Sequence, residues 1–295
     1  FPMNRARHLW ADASQATREQ PWENSLKMKF VPVPGTQVLF CEYETRVRDY
    51  AAFAKIEQTS IPVWRNAAML ENPNPKSLIQ STDQQTPTSW TSPGFEQTPD
   101  HPVCGMSQLD ARFFCAWLTN HELAAGWIKK GQSYRLPTDA EWSLAVGLTN
   151  DPGPYVKEAL PAEPTLLPTG NFAGPEARHH PLWPSHFATD APEDQFMCTA
   201  PVGSFPANAL GLFDMNGNVY EWTETKLEAR KNLPPNYYCL RGGSWSTGRL
   251  MKMMPESRQL ARRARAQPNF GFRIVLDLKT TPEQIRPLDP LDEAE

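Results

Sequence analysis

The stretch best suited to chemistry is the segment 211–222, in which turn-forming residues precede a single glutamate. Residues 214–218 tolerate a tight turn, because Gly and Asn accept positive φ angles. Large apolar side chains surround this turn and predict that it is buried: Leu212, Phe213, Tyr220 and Trp222. A buried turn must satisfy its own amides and carbonyls. Either the carbonyls point at a metal ion whose shell Glu221 completes, or Glu221 makes an ordinary hydrogen bond in a simple turn.

Thiols and imidazoles offer less chemistry. The five cysteines are widely spaced and form no C-x-x-C pair, which argues against a zinc site and a thioredoxin-like motif. The sequence allows one disulfide without selecting its partners. His179 and His180 are adjacent, so their side chains point apart on most backbones. A solvated loop is therefore a better interpretation of this pair than a metal site.

Composition indicates a globular chain that is rich in loops. Of 295 residues, 40% are hydrophobic, while 30 prolines and 10 tryptophans favour short elements pinned by aromatic anchors. The net charge of −4 gives no support for nucleic-acid binding. No apolar run approaches the length of a membrane span, and no signal peptide is recognisable. Because the chain opens on Phe1, we expect a piece of a longer polypeptide, with a lead-in at 1–25, one domain at 26–280 and an acidic, disordered tail at 281–295.

The N-terminal half predicts a hairpin followed by capped helices. Alternation of polar and apolar residues predicts strands at 27–33 and 38–41, joined by a Pro-Gly turn. Thr45 is placed to cap a helix near 46–57. Two capping boxes then start further helices, and each helix ends at a glycine: Ser107 with Asp110 before Gly126, and Thr138 with Glu141 before Gly147.

Extended segments dominate the C-terminal half. Residues 199–203 read as a short strand that ends in a turn, 237–245 as a strand that enters a glycine turn, and 270–276 as the closing strand. Together with the helices, these elements predict one α+β domain. Loops are predicted for the remaining polar or proline-rich segments: 59–100, 149–193 and 224–236.

Many short motifs occur in the order typical of one family, and residues 27–277 resemble the formylglycine-generating enzyme family, also called the sulfatase-modifying-factor domain. The resemblance implies a compact α+β fold, related to C-type lectins, with little regular secondary structure. The motifs that carry it are Phe30–Gly35, Glu44–Val47, His101–Val103, Asp110-Ala111, Phe114–Trp117, Arg135–Trp142, Asn171-Phe172, Gly211–Trp222, Arg241–Trp245 and Gly271–Arg273.

The resemblance implies two structural calcium sites, each built from the oxygen ligands that suit a hard cation. In the family, the turn within the segment 211–222 supplies carbonyls and one carboxylate. The matching residues here are Asn216, Gly217, Val219 and Glu221. The second site uses an Asn with the carbonyl that follows it, then an Asp and a carbonyl two residues later. Its matching residues are Asn171, Phe172, Asp194 and Phe196.

The resemblance carries no catalytic residue into this chain. In the family's oxidases, two cysteines just after the Gly-Gly-Ser turn bind copper(I), which requires soft thiolate ligands. The matching positions here are about Thr247 and Lys252, and residues 246–280 contain no cysteine. Copper is therefore not expected. Related sulfoxide synthases bind iron with a helical domain that bears H-x-x-x-H, a motif that this chain lacks.

A candidate ligand surface follows the glycine turn. The family fold places the basic segment 258–265 near its ligand-facing side, where an anion or an acidic peptide would bind, and the alternative is a solvated basic helix. The candidate surface comprises Ser244, Trp245, Arg258, Arg262 and Arg263. Nearby methionines fit either an adaptable contact surface or the core: Met251, Met253 and Met254.

Two functional hypotheses follow. The first is a non-catalytic, calcium-stabilised binding module that presents a surface within 224–265 to a protein, peptide or glycan. Family members of this kind include receptor-like proteins and domains appended to bacterial serine/threonine kinases. The second is an oxidase with an atypical metal site that acts on a cysteine peptide or another small substrate. The missing cysteine pair favours the first, and structural calcium favours a location outside the inner membrane.

Overall fold

The predicted N-terminal hairpin lies in the larger of the two sheets that the described residues form. It pairs β2 (Lys29–Pro32) with β3 (Val38–Cys41) in antiparallel register, and Val31 lies opposite Phe40. Gly35 has a φ of 83°, the left-handed conformation that its turn requires. The prediction of this hairpin is confirmed. The computed structural model describes the residues 12–60, 89–149, 169–179, 190–227 and 236–279.

Strands from distant parts of the chain complete the larger sheet. β1 (Trp22–Glu23) pairs with β2, while β9 (Val275–Asp277) lies between β3 and β4 (Ser133–Arg135). The order is β1-β2-β3-β9-β4, and each pairing is antiparallel. The single closing strand predicted at 270–276 is wrong. Its first residues form β8 (Phe270–Gly271) in the other sheet, because the buried residues that follow cross between the two sheets.

The first helix forms as predicted, but Thr45 does not cap it. α1 spans Val47–Ser60, and the hydroxyl of Thr45, the predicted cap, has no hydrogen-bond partner in the described structure. Instead Asp49 accepts from the Arg46 backbone N–H at 3.0 Å and pairs with the Arg46 guanidinium. A carboxylate in the first turn also interacts favourably with the helix dipole. The predicted helix is confirmed and its predicted cap is wrong.

The next two helices begin at the predicted capping boxes. In α2 (Gln108–Ala125) the Ser107 side chain accepts from the third residue of the helix, whose carboxylate accepts from Ser107 in return. In α3 (Asp139–Val146) Thr138 makes the same exchange. Both helices end at left-handed glycines, as predicted: Gly126 and Gly147.

The smaller sheet carries most of the predicted site. Its order is β7-β6-β5-β8, with β5 (Tyr220–Lys226), β6 (Tyr237–Arg241) and β7 (Gln259–Arg262). β5 and β8 run parallel, and β6 is antiparallel to both of its neighbours. The sequence predicts β6. It predicts a loop for the end of β5 and a solvated helix for the segment that forms β7, and the structure shows strands in both places. Both strands form by pairing with β6. Residues 199–201 have no regular secondary structure and residues 202–203 form a turn, so the strand predicted there is wrong and the turn at its end is confirmed.

Two apolar clusters cover opposite faces of the larger sheet. Because side chains alternate along a strand, Phe30 points into the cluster formed with α1 and α2, and Val31 points into the other. That second cluster is centred on Trp142 of α3 and includes Leu212 and Met215 from the predicted turn. The turn is therefore buried, as its apolar flanks predict.

A one-turn helix, α4 (Leu250–Met253), follows the glycine turn after β6. Met253 is buried and Met251 is exposed, so the methionines divide between core and surface. No helix in the described part of the chain is long and apolar enough to cross a bilayer. Much of the predicted lead-in, the loops and the tail lies outside the described residues, in 1–11, 61–88, 150–168, 180–189, 228–235 and 280–295.

Candidate functional site

The predicted turn and Asn171 form one buried unit. Gly217 and Asn171 make a parallel β-bridge, and the Asn218 backbone N–H donates to the Asn171 carbonyl at 2.8 Å. Gly217 has a φ of 84°, and a Cβ atom there would lie 2.3 Å from the Asn171 carbonyl oxygen, so glycine is required. The structure therefore places Asn171 of one predicted calcium set next to Gly217 of the other.

Asn171 anchors the second set and leaves one oxygen without a partner. Its side chain is fully buried, and Nδ2 donates to the Cys198 carbonyl at 2.8 Å and to Asn218 Oδ1 at 3.1 Å. Asn171 Oδ1 has no hydrogen-bond partner among the described residues. A buried polar atom without a partner is unfavourable, and an amide oxygen is a ligand that Ca²⁺ accepts.

Asp194 is held against the same segment. Its two carboxylate oxygens accept from the backbone N–H groups of Phe172, at 2.8 Å, and Phe196, at 2.9 Å. Burial raises the pKa of Asp194 to about 6 despite these bonds, and the nearby Glu176 carboxylate raises it as well. A cation beside Asp194 would favour its charged form and offset the effect of burial.

Glu176 is a functional candidate that the sequence did not reveal. Its Oε1 accepts from the Gly174 backbone N–H at 2.7 Å, and its buried Oε2 has no partner in the described structure. Glu176 lies in a short 3-10 helix, Pro175–His179, and belongs to no recognisable metal motif. Only the fold places its carboxylate near Asp194.

Glu221, the predicted carboxylate of the first set, lies in a buried ion pair. Arg273 Nη2 and Nε donate to Glu221 Oε1 at 2.8 Å and 3.0 Å, and Trp142 Nε1 donates to Oε2 at 2.8 Å. The remaining donors of Arg273 bind the backbone carbonyls of Cys41, Glu42 and Phe213. A calcium ion bound at this set would therefore share the Glu221 carboxylate with the Arg273 guanidinium.

Two further buried carboxylates lie close to this ion pair. Glu44 accepts from Asn218 Nδ2 at 2.6 Å and from the Val219 backbone N–H at 3.0 Å. Burial, followed by Asp214 and Glu221, raises the pKa of Glu44 well above its usual range. Asp214 Oδ1 has no described partner, and burial raises the pKa of Asp214 to about 6. One guanidinium thus faces three carboxylates, an excess that protons or a cation would neutralise.

The two sets differ in their fit to calcium. The set around Asn171 and Asp194 fits, because it offers an amide oxygen without a partner and a half-buried carboxylate. The set around Glu221 fits less well, because that carboxylate is already paired. In the described residues, no three His, Cys, Asp or Glu side chains converge as they would around a metal. Calcium would therefore need carbonyl or water ligands at either set, and both sets stay predictions.

Thr247 and Lys252, which match the cysteine positions of the family's oxidases, line one cleft of about 250 Å³. Thr247 Oγ1 donates to Tyr220 Oη at 3.2 Å and accepts from the Ser244 backbone N–H at 3.1 Å. A hydroxyl is a hard ligand and an ammonium group has no lone pair to donate, whereas copper(I) needs thiolates, so neither residue fits copper. We call this the hydroxyl cleft; its principal lining residues are Tyr220, Ser246, Thr247, Arg249, Lys252 and Asn269.

The structure divides the predicted ligand surface. Ser244 and Trp245 are 0% and 2% exposed, so their side chains lie behind the surface. Arg258 donates to both carboxylate oxygens of Asp139, at 3.1 Å and 2.9 Å, where α3 begins. The last two arginines lie at the end of β7: Arg262, which is exposed, and Arg263, which is half-buried. As a ligand surface this set stays a prediction.

Comparison with known proteins identifies relatives along most of the chain. The family model "Sulfatase-modifying factor enzyme 1-like domain" matches residues 15–278. The chain is 36% identical over 129 residues to the formylglycine-generating enzyme of Bos taurus, covering 42% of this chain and 27% of that protein. Identity to the inactive C-alpha-formylglycine-generating enzyme 2 of Bos taurus is 32% over 154 residues, which cover 52% of this chain and 41% of that protein. Identity to the serine/threonine-protein kinase pkn1 of Chlamydia caviae is 28% over 207 residues, which cover 63% of this chain and 25% of that protein.

A solved structure has the same fold. PvdO from Pseudomonas aeruginosa aligns with a TM-score of 0.51 at 20% identity, covering 82% of this chain and 80% of that one. The match spans less than half of the length of each of these three relatives, and in pkn1 the matching region is part of a longer kinase chain. The α+β architecture and the family match over residues 15–278 point to the same family. The chain therefore belongs to the sulfatase-modifying factor enzyme 1-like domain family.

Proposed function

We propose that this chain is a non-catalytic, calcium-stabilised binding module of its family and part of a longer polypeptide. The observation that supports this proposal is the composition of the hydroxyl cleft. Thr247 and Lys252 occupy the positions at which the family's oxidases have copper-binding cysteines. Neither a hydroxyl nor an ammonium group binds copper(I). A cleft that lacks the reactive thiols of the family's oxidases suits binding better than turnover. Similarity to a relative named as inactive is consistent with such a role.

Structural calcium is the second part of the proposal. The unpartnered Asn171 Oδ1 and the Asp194 carboxylate would hold one ion, together with the carbonyls of Phe172 and Phe196. Through the bridge between Asn171 and Gly217, that ion would tie two separate segments together. The excess of buried carboxylates supports a second ion near the other predicted set: Asn216, Gly217, Val219 and Glu221.

The proposed ligand is a protein, a peptide or a glycan. Kinase relatives such as pkn1 support a further domain on the same polypeptide, with this module supplying recognition. The proposal includes an extracytoplasmic location, because free calcium is plentiful outside the inner membrane and would keep a structural site of moderate affinity filled.

Thermal unfolding with calcium and with a chelator tests the structural site. Calcium at about 100 times its Kd adds about 2.7 kcal/mol to the folded state, a rise in Tm of roughly 5–10 °C. Asp194→Asn should lose most of this rise, because it removes the charge of a proposed ligand. Glu193→Gln, the exposed neighbour, should keep it. Equal shifts in both variants, or no shift in the unmodified protein, would contradict calcium binding at Asp194.

The alternative, an oxidase with an atypical metal site, requires a separate assay. The protein is incubated with copper(I), oxygen and a cysteine-containing sulfatase peptide, and mass spectrometry follows conversion of the thiol to an aldehyde. We expect no conversion, because the cleft lacks a thiolate pair. Aldehyde formation that depends on the protein would replace the binding module with an enzyme.

A further inference from the structure

The hydroxyl cleft carries positive charge that no described residue neutralises. Arg249 and Lys252 both line it and both are exposed, and neither forms an ion pair within the described part of the chain. None of the other described residues that line the cleft is acidic. A concave surface with two cations and no carboxylate attracts an anion.

A chain of hydrogen bonds fixes the polar floor behind these cations. Asn269 Nδ2 donates to Ser246 Oγ at 2.8 Å, and the Ser246 and Ser244 hydroxyl oxygens are 3.0 Å apart. The Ser244 and Thr247 hydroxyl oxygens are 3.2 Å apart, and Thr247 in turn donates to Tyr220. The floor is thus ordered before a ligand arrives, which lowers the entropy lost on binding.

Tyr220 adds an uncharged donor to the two cations. Its hydroxyl oxygen accepts from Thr247, so the phenolic proton is directed to another acceptor. Phenols titrate at about pH 10, so this hydroxyl is a hydrogen-bond donor at neutral pH. An O–H donor beside a guanidinium and an ammonium suits a carboxylate, because hydrogen bonds to a charged acceptor are the stronger ones.

Size and surroundings favour a peptide side chain over a cofactor or a sugar. The volume of about 250 Å³ lies below the roughly 300–1,000 Å³ of typical small-molecule sites. Its aromatic lining residues, Tyr220 and Phe270, are 8% and 2% exposed, so neither presents a ring face for stacking. Gln259 lines the cleft and opens β7, the outermost described strand of its sheet. An extended peptide over the cleft would therefore run beside a strand edge.

We propose that the hydroxyl cleft binds an acidic segment of a protein partner, whose carboxylate is held by Arg249, Lys252 and the Tyr220 hydroxyl. The inference rests on the proposed binding function and names its ligand class. The carboxylate would lie where the family's oxidases carry their thiols, so recognition takes the place of chemistry in the same cleft.

Fluorescence anisotropy tests the ligand class, with calcium present and copper absent. The probes are a labelled peptide of alternating Gly and Glu and a matched peptide in which Gln replaces Glu. We expect the Glu peptide to bind about tenfold more tightly, the effect of losing one charge-assisted hydrogen bond. Added salt should reduce the difference, because exposed charges are screened.

Variants locate the binding to the cleft. Arg249→Ala combined with Lys252→Ala should abolish the preference for the Glu peptide. Lys130→Ala, which removes an exposed cation outside the cleft, should leave the preference unchanged. Tyr220→Phe should weaken binding of the Glu peptide several-fold, since it removes a donor, with little effect on the Gln peptide. Thermal unfolding of each variant checks that it folds.

Equal binding of the two peptides would overturn the proposal, and so would a preference that survives the double substitution. A sulfated oligosaccharide that binds more tightly than the Glu peptide through the same two cations would also overturn it, because the ligand would then be a glycan. None of these outcomes tests whether the protein is an enzyme. Aldehyde formation alone would overturn the non-catalytic function, so the two failures are distinguishable.

Discussion

Arg273 shows how one side chain can organise a buried polar site. Its guanidinium pairs with Glu221 and also satisfies three backbone carbonyls, two of which lie at the end of β3. It therefore joins the turn before β5 to the larger sheet. A buried charge of this kind is stable only while its partner remains, because removal of one partner leaves the other without compensation.

Replacement of Glu221 by Gln should therefore destabilise the protein by about 3–5 kcal/mol. Urea unfolding in the presence of a chelator measures the effect, because calcium then contributes nothing. Arg273→Met should cause a loss of the same order. The double variant should lose less than the sum of the two single losses, since each single change already breaks the pair.

The same experiment separates the two interpretations of Glu221. An ion pair destabilises the Gln variant equally with and without calcium, whereas a calcium ligand gives a loss only when calcium is present. A loss confined to the calcium-loaded protein would make Glu221 chiefly a metal ligand. It would also place Arg273 in a secondary role.

At the scale of elements, local signals predicted the helices better than the strands. The capping boxes at Ser107 and Thr138 fix the starts of α2 and α3, because the hydrogen bonds of a cap join residues three apart. β7 pairs with a strand about twenty residues earlier, and β8 pairs with β5 in parallel, so neither has a local signature. The closing segment was predicted as one strand because no local pattern marks a crossover between sheets.

In the candidate site, too, the sequence predicted what local motifs encode and missed what depends on contacts between distant segments. Family motifs pointed to Asn171, Asp194 and the turn at Gly217, and the structure makes Asn171 and Gly217 neighbours. Glu176 and the pairing of Arg273 with Glu221 depend on how distant segments meet, so no local spacing could indicate them. The hydroxyl cleft was likewise visible in the sequence only as two positions without cysteine.

The turn after β6 and α4 together place Thr247 and Lys252 on one cleft, so a copper site can be built there as a test. Thr247→Cys combined with Lys252→Cys should gain copper(I) binding, because a thiolate pair is the ligand set that copper(I) prefers. Competition with a cuprous chelator measures the affinity. Each single variant should bind far more weakly, and so should Ser246→Cys with Lys252→Cys, a pair with altered spacing. Absence of binding by the first pair would mean that this backbone has left the oxidase geometry.

At the scale of the whole molecule, buried polar contacts join segments that are far apart in the chain. Glu122 of α2 accepts from Ser25 Oγ at 2.5 Å and from Tyr134 Oη at 2.5 Å, which ties the N-terminal segment to α2 and β4. Glu122 is 0% exposed. Burial raises its pKa above the ordinary value of 4.5, although the hydrogen bonds from Ser25 and Tyr134 oppose the shift.

Stability should therefore depend on pH through Glu122. Because its folded-state pKa is raised, the folded chain keeps a proton that the unfolded chain loses above about pH 4.5. The stabilising contribution is complete below that pH and is lost as the pH rises through the folded-state pKa. In Glu122→Gln this titration is absent.

We expect the free energy of unfolding of the unmodified protein, minus that of Glu122→Gln, to fall as the pH rises from about 4.5 towards neutrality. The slope cannot exceed about 1.4 kcal/mol per pH unit, the value for one proton. Urea unfolding in chelator, repeated across this range, measures the difference, and subtraction removes the titration of groups that both proteins share. A difference that stays constant or grows with pH would show that Glu122 is charged in the folded protein. The contacts with Ser25 and Tyr134 would then stabilise the carboxylate more than burial disfavours it.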